Sequence, residues 1–506
     1  MSTTTPVNVS SKRKSTDSIV YNEKSAAFTT DLASDLTPYL RGLSLDETRA
    51  DDNEGNPISV NSLENWEESL LSDSKNVLAQ SAFAKNAITD IIGVSDVSTH
   101  VLNQYLFNVE VDVIGSPSFF NNQKSSGRCW IFASLNVLRA HVIRNYNLDP
   151  SKFQLSQSYI YFYDKLEKAN FYLENIIDTA DEKSDAYLVR YLNSAPVNDG
   201  GQWDMVVNLV TKYGVIPQEL FPDSAQAQNS SRLNYIVTEK LREYGLILRK
   251  LIEDGKSKES VAVIKKSMVK QVYNIIALSL GTPPKPTDEF TWEFIDKSGK
   301  YQSFKTTALD FYLKHVRFDA AKHFSIIHDP RNDYDTLYTV DRLNNISDGK
   351  PIEYVNKTLP DIKKIAIKML QANEPIFFGS DVGKFSDSQS GILDVHSYDY
   401  NLGFGTDLNL TKAERLRVGS SQMTHAMVIT GVHLNPSGVP LRWKIENSWG
   451  DSVGEKGYFL MTDAWFDEYV FQIVTNKAFV DKKTYEIWKS KDFTVLPFED
   501  PMGALA

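Results

Sequence analysis

A single cysteine, Cys129, in 506 residues is the strongest constraint on what this chain can fold into. One thiol closes no intramolecular disulfide and cannot supply the cysteine cluster of a structural zinc site. The chain must therefore stabilise itself through a packed core. Its 42% hydrophobic and 11% aromatic content, at a length of two or three domains, is ample for that. No run approaches the roughly 18 apolar residues that would cross a bilayer. No apolar h-region opens the chain, so the expectation is a cytoplasmic protein without membrane contact. The net charge of −11, from 54 Lys and Arg against 65 Asp and Glu, excludes the chain as a whole from polyanion binding but leaves room for a local basic patch.

Cys129 stands where a polar, glycine-containing loop runs into a helix. Trp130, Ala133, Val137, Leu138, Ala140 and Val142 follow at helical spacing, with Arg139 and Arg144 toward the far end. A cysteine in a first helical turn meets unpaired N–H groups and the positive end of the macrodipole, which favour thiolate. The competing reading is a small buried hydrophobe. Six residues upstream, Gln123 lies in the loop. Its amide N–H2 and the Cys129 backbone N–H make two donors, the number an oxyanion hole uses.

A base comes from a hairpin argument. Residues 424–430 and 441–446 read as strands around the turn signal Asn435, Pro436, Ser437 and Gly438. Folding the chain about that turn sets His425 opposite Asn447, and opposed residues share a face of the sheet. A carboxamide on one ring nitrogen fixes the tautomer and leaves the other nitrogen for a thiol.

The blocks Gln123 with Cys129 and Trp130, Thr424 with His425 and Ala426, and Asn447 through Gly450, in that order, resemble the signature of papain-like cysteine peptidases. Two positions depart from it. Ser126 stands where the family carries a disulfide cysteine, and Arg128 replaces the usual serine before the nucleophile. His425 also lies 296 residues after Cys129, about twice the separation in papain and cathepsins. The 123–130 block, the 163–170 segment and the ending Asp500 to Ala506 are similar to the bleomycin hydrolase branch. The resemblance implies a two-domain α+β papain-like fold with a large helical insertion and a C-terminal arm. It implies an aminopeptidase that takes peptides with a free amino terminus, with bleomycin hydrolase and homocysteine-thiolactonase activity. It further implies a homohexamer with DNA binding in its channel. Cys129 becomes nucleophile, His425 base, Asn447 orienter and Gln123 oxyanion donor. Ala506 ends an arm that gates the cleft. The alternatives are a papain-like endopeptidase with the same site, or a nucleic-acid-binding hexamer with secondary peptidase activity.

The organisation expected along the chain has five parts. Residues 1–58, rich in Ser, Thr, Asp and Asn without periodicity, read as a disordered tail, and its Ser/Thr richness sustains a mitochondrial form as the alternative to the cytoplasm. Residues 59–230 form a helical half carrying the nucleophile. They include a helical pattern over 63–92 capped at Asn61 or Ser62 and anchored by Trp66. In the same half, Gly200 and Gly201 form a loop on which substrate backbone can pair closely, because no Cβ intervenes. Residues 231–365 are the insertion, with a helical hairpin (Leu241, Tyr244, Leu248 and Leu251; Val261, Ile264, Met268 and Ile275) and a β-hairpin at 290–304. Lys256, Lys258, Lys265, Lys266 and Lys270 read as a solvated face or a DNA-attracting patch. Residues 366–485 form the β-rich half, and 486–506 the arm. The G-x-S-x-G match at Gly450 to Gly454 runs into a strand instead of a helix and is accidental. His323 and His328 lack ligand spacing, so neither metal nor cofactor is expected.

Overall fold

A computed structural model describes residues 58–94, 105–112 and 121–504. The expected tail, Ile58 apart, and Ala506 at the end of the arm lie outside the described residues. The described chain forms two compact units, the smaller from 58–93 with 398–409 and the larger from the remainder.

In the smaller unit the single helix expected over 63–92 is three, Val60–Ser72, Ser74–Phe83 and Ile88–Ile92. Ser59 caps the first, accepting from the Ser62 N–H at 3.0 Å, and Asp73 restarts the second by accepting from the Lys75 N–H at 2.9 Å. The cap therefore precedes Asn61 and Ser62, because the hydroxyl must sit outside the helix to reach its third residue. Trp66 is 53% exposed and is not the buried anchor expected. Phe83 instead stacks on Phe404 at 4.8 Å.

The larger unit has the expected α+β architecture. Among the described residues its sheet has twelve strands. The order is Thr494–Leu496, Thr336–Val340, Tyr354–Asn356, His323–Ile327, Val470–Asn476, Ile376–Ser380, His425–Leu434, Pro440–Glu446, Tyr458–Thr462, Ile392–Leu393 and Ser386–Asp387, with Val109–Glu110 also pairing to His425–Leu434. The His425–Leu434 strand sits mid-sheet and is buried on both faces, which is why it reads as a continuous apolar run. Ala426 and Val428 join the core around the Cys129–Tyr146 helix, while Met427 and Ile429 join the core that contains Ile362 and Ile365 of the Leu359–Gln371 helix. The two-residue period of a strand thus divides one sequence run between two cores.

The segment expected as one insertion, 231–365, is divided. The helical pair Ser231–Glu253 and Lys258–Leu280 and the hairpin Phe290–Ile295 with Tyr301–Thr306 stand as read from sequence. The strands within 323–356 belong to the large sheet. The arm likewise starts later than residue 486. The Lys482–Ser490 helix crosses that boundary, and Thr494–Leu496 pairs in parallel with Thr336–Val340. Single-sequence periodicity could not show these joins, since short strands take their identity from distant partners.

Candidate active site

Cys129 is the first residue of the Cys129–Tyr146 helix, and no side chain caps that helix start. It is 2% exposed. Burial pushes its thiol up to about 11, against the lowering effect of the Ala426, Trp130 and Cys129 backbone N–H groups. Burial therefore opposes the thiolate preference expected of a helix start. Desolvation of the charged form outweighs the helix start. The Ala426 N–H belongs to the residue after His425, so the thiol meets the start of the central strand.

His425 is 4% exposed and shares a 2.8 Å hydrogen bond between Nε2 and Asn447 Oδ1. With Nε2–H donating to that carbonyl oxygen, Nδ1 is the unprotonated nitrogen left for a thiol proton. Burial lowers the imidazole to about 4, while the Asn447 bond pulls it upward. The ladder register differs from the sequence reading by two residues. Val428 pairs with Glu446, so the same register continued would set His425 against Trp449. A shift of two leaves the face unchanged, and Asn447 still reaches the ring. Trp449 lies beside it, with ring centroids 4.8 Å apart. Asn447 is held by its own N–H on the Gly457 carbonyl at 3.2 Å and by Asn121 Nδ2 on its carbonyl at 2.8 Å.

Gln123 is buried in the entering loop. Its Nε2 donates to the Ser126 carbonyl at 2.6 Å, and its Oε1 accepts from Ser448 Oγ at 2.6 Å. Ser448 thus fixes the orientation of the carboxamide, a contact the sequence reading missed. The Gln123 N–H bonds the Ser448 carbonyl at 2.8 Å, and the Gly450 N–H bonds the Asn121 carbonyl at 3.1 Å. At Gly450 (φ +85°) a Cβ would come within 2.4 Å of Asn122, so only glycine permits this stitch. Deeper in, Glu446 lies 3.6 Å from Arg139 of the nucleophile helix. Burial raises the Glu446 carboxyl, opposed by Arg139. The structure sets Cys129 against the start of the strand that carries His425, with Asn447 on the imidazole, a combination whose chemistry suits acyl transfer.

Comparison with known proteins agrees. A family model described as Peptidase C1-like family matches residues 57–503. The chain belongs to the Peptidase C1-like family. It is 39% identical over 455 residues to "Cysteine proteinase 1, mitochondrial" of Saccharomyces cerevisiae (strain YJM789), covering 89% of this chain and 93% of the relative. It is 40% identical over 447 residues to "Bleomycin hydrolase" of Mus musculus, covering 86% and 96%. It is 43% identical over 406 residues to "Aminopeptidase C" of Lactobacillus delbrueckii subsp. lactis, covering 79% and 88%. The crystal structure of PepW from Lactobacillus rhamnosis HN001 superposes with a TM-score of 0.85 at 40% identity, covering 89% of this chain and 99% of that one.

In this Peptidase C1-like chain, Gly200 and Gly201 lie beside Gly127 and Trp130, the residues that flank Arg128 and Cys129. A Cβ on Gly201 would come within 2.5 Å of the Trp130 ring, next to Cys129. Trp130 Nε1 donates to the Asp199 carbonyl at 2.7 Å. Burial would raise the Asp199 carboxyl, but Lys165 at 2.5 Å holds it well below the usual carboxylate range. Lys165 is itself buried within the Gln157–Asp178 helix. A lysine among that helix's aromatic residues was the available signal for this pairing, and the sequence reading passed over it. Gln202, beside Gly201, donates from Nε2 to the Ala504 carbonyl at 2.6 Å. Arg331 bonds Asp500 at 2.8 Å, and Met502 is buried. The described end of the arm is thereby tied to the glycine loop, while Ala506 lies outside the described residues.

Proposed function

We propose that this chain is a thiol aminopeptidase. Cys129 Sγ attacks the scissile carbonyl carbon as His425 takes the thiol proton. The Gln123 amide and the Cys129 N–H stabilise the oxyanion, and His425 returns the proton to the leaving amine. Asn447 holds the imidazole throughout. Water then attacks the acyl-enzyme and releases the amino acid. The observation that carries the amino-terminal preference is the 2.6 Å bond between Gln202 and the Ala504 carbonyl, beside Gly200 and Gly201. An arm fastened there shortens the cleft on the side where a longer substrate would extend. The relatives named aminopeptidase C and bleomycin hydrolase support the same reading. Carboxamides such as that of bleomycin, and homocysteine thiolactone, enter the same acyl-transfer chemistry.

Mass spectrometry of a short peptide and its N-acetylated twin tests the proposal. Stepwise loss of single residues from the free peptide alone is expected, and Cys129→Ala removes it. Internal cleavage of both peptides would make the chain an endopeptidase.

A second reading, nucleic-acid contact through the insertion, rests on Lys256, Lys258, Lys266 and Lys270. All four are exposed and without an ion pair among the described residues, whereas Lys265 pairs with Glu174. DNA binding that weakens steeply with salt and persists in Cys129→Ala would support it. A homohexamer belongs to the same proposal, and a stable monomer in sedimentation would end it. The compartment proposed with this reading is the cytoplasm, and the name of the yeast relative supports a mitochondrial form as the alternative. No helix among the described residues is long and apolar enough to cross a membrane.

A further inference from the structure

Arg128 directly precedes the nucleophile, and the chemistry above gives its guanidinium no part. The side chain is fully buried. NH1 and NH2 donate to the two oxygens of Asp223 at 2.9 and 2.8 Å, and the group lies over the rings of Phe132 and Tyr161 at 5.3 and 5.4 Å. Nε donates to Ser126 Oγ at 2.9 Å. That hydroxyl donates to the Gln123 carbonyl at 2.6 Å, and Gln123 Nε2 donates to the Ser126 carbonyl at 2.6 Å. Ser158, at the start of the aromatic helix, adds a bond to Asp223 Oδ1. One cation therefore joins the oxyanion loop to two other segments of the chain.

A buried guanidinium is costly unless it is paired and hydrogen-bonded, and a two-pronged pair with carboxylate sets direction as well as distance. With Cys129 the only cysteine, no disulfide can hold this loop. Because Asp223 matches the charge of Arg128, what the pair transmits to the site is geometry. We propose that Arg128, locked by Asp223, is a positioning residue for acyl transfer, acting through Ser126 to aim the Gln123 amide at the developing oxyanion. The assignment rests on the thiol-peptidase reading.

The test compares wild type, Arg128→Lys, Gln123→Ala and the double variant on an aminoacyl amide, together with alkylation of Cys129 by iodoacetamide, which forms no oxyanion. Arg128→Lys is expected to lower kcat on the order of tenfold or more, up to the roughly 10²–10³ that complete loss of an oxyanion donor costs. KM should change by less than about twofold, as for an interaction made only in the transition state. Alkylation should keep its rate, and the kcat loss should vanish in the Gln123→Ala background. Asp223→Asn, which keeps size and one acceptor, should give the same pattern and serves if the lysine variant fails to fold. An unchanged kcat, an equal loss in the Gln123→Ala background, or a parallel loss of alkylation would overturn the assignment. Wild type that alkylates but turns over no amide would overturn the peptidase reading first and this assignment with it.

Discussion

The surroundings of Cys129 and the helical pair Ser231–Glu253 and Lys258–Leu280 place charge in opposite ways. Around the nucleophile, Arg128, Arg139, Lys165, Asp199 and Glu446 are all buried, each beside an opposite charge. In the helical pair the inner stripe is apolar, with Leu241, Leu248, Val272 and Ile276 buried, and ion pairs such as Lys250 with Asp254 lie outside. A buried ion pair contributes little net stability against an apolar isostere, but it is costly to break and specific in geometry. The helical pair buries an apolar stripe and keeps its charges at the surface. The contrast indicates that precision, more than stability, governs the residues around the site.

The sharpest break of this contrast is Cys129→Ala, which should abolish turnover while leaving thermal unfolding near wild type. A melt that collapsed with it would make the cysteine a core residue first. Arg139→Met should follow, because it leaves Glu446 buried and unpaired at a cost of about 3–5 kcal/mol. Adding Glu446→Gln should recover part of that in denaturant unfolding. In the other region, Leu248→Ala should cost about 2–5 kcal/mol with kcat unchanged. A catalytic defect there would erase the distinction between the two regions. The pH profile of kcat/KM sharpens the site side. The competent pair holds one proton, so activity should fall below about 4, where His425 protonates, and above about 11, where Cys129 loses its proton. The Asn447 bond raises the imidazole, so Asn447→Ala should move the acid limb lower still. Smallest of all, Lys266→Glu with Lys270→Glu should change unfolding by less than about 0.5 kcal/mol per site and leave peptidase activity intact.

Much of the site was legible because its chemistry is written in residue type and order. Cys129 at a helix start, and His425 and Asn447 across a hairpin, follow from local pattern, and a register error of two residues left them on the correct face. The helical pair and the 290–306 hairpin were legible for the same reason, since each closes within its own segment. Ser448 on Gln123, Lys165 on Asp199 and Gln202 on Ala504 were not, because each partner lies at least 34 residues away along the chain. The strands within 323–356 escaped likewise, being short and joined to the large sheet through the remote strands Val470–Asn476 and Thr494–Leu496.

The sequence by itself determined which residues, Cys129, His425 and Asn447, are candidates for the site, the elements that carry them and the absence of any intramolecular disulfide. Those depend on residue identity and short-range periodicity. Tertiary structure alone decided the burial that shifts the Cys129 thiol up and the His425 imidazole down, the fastening of the arm and the buried charges that hold the loop. Desolvation, and contacts between distant segments, exist only once the chain has closed around them.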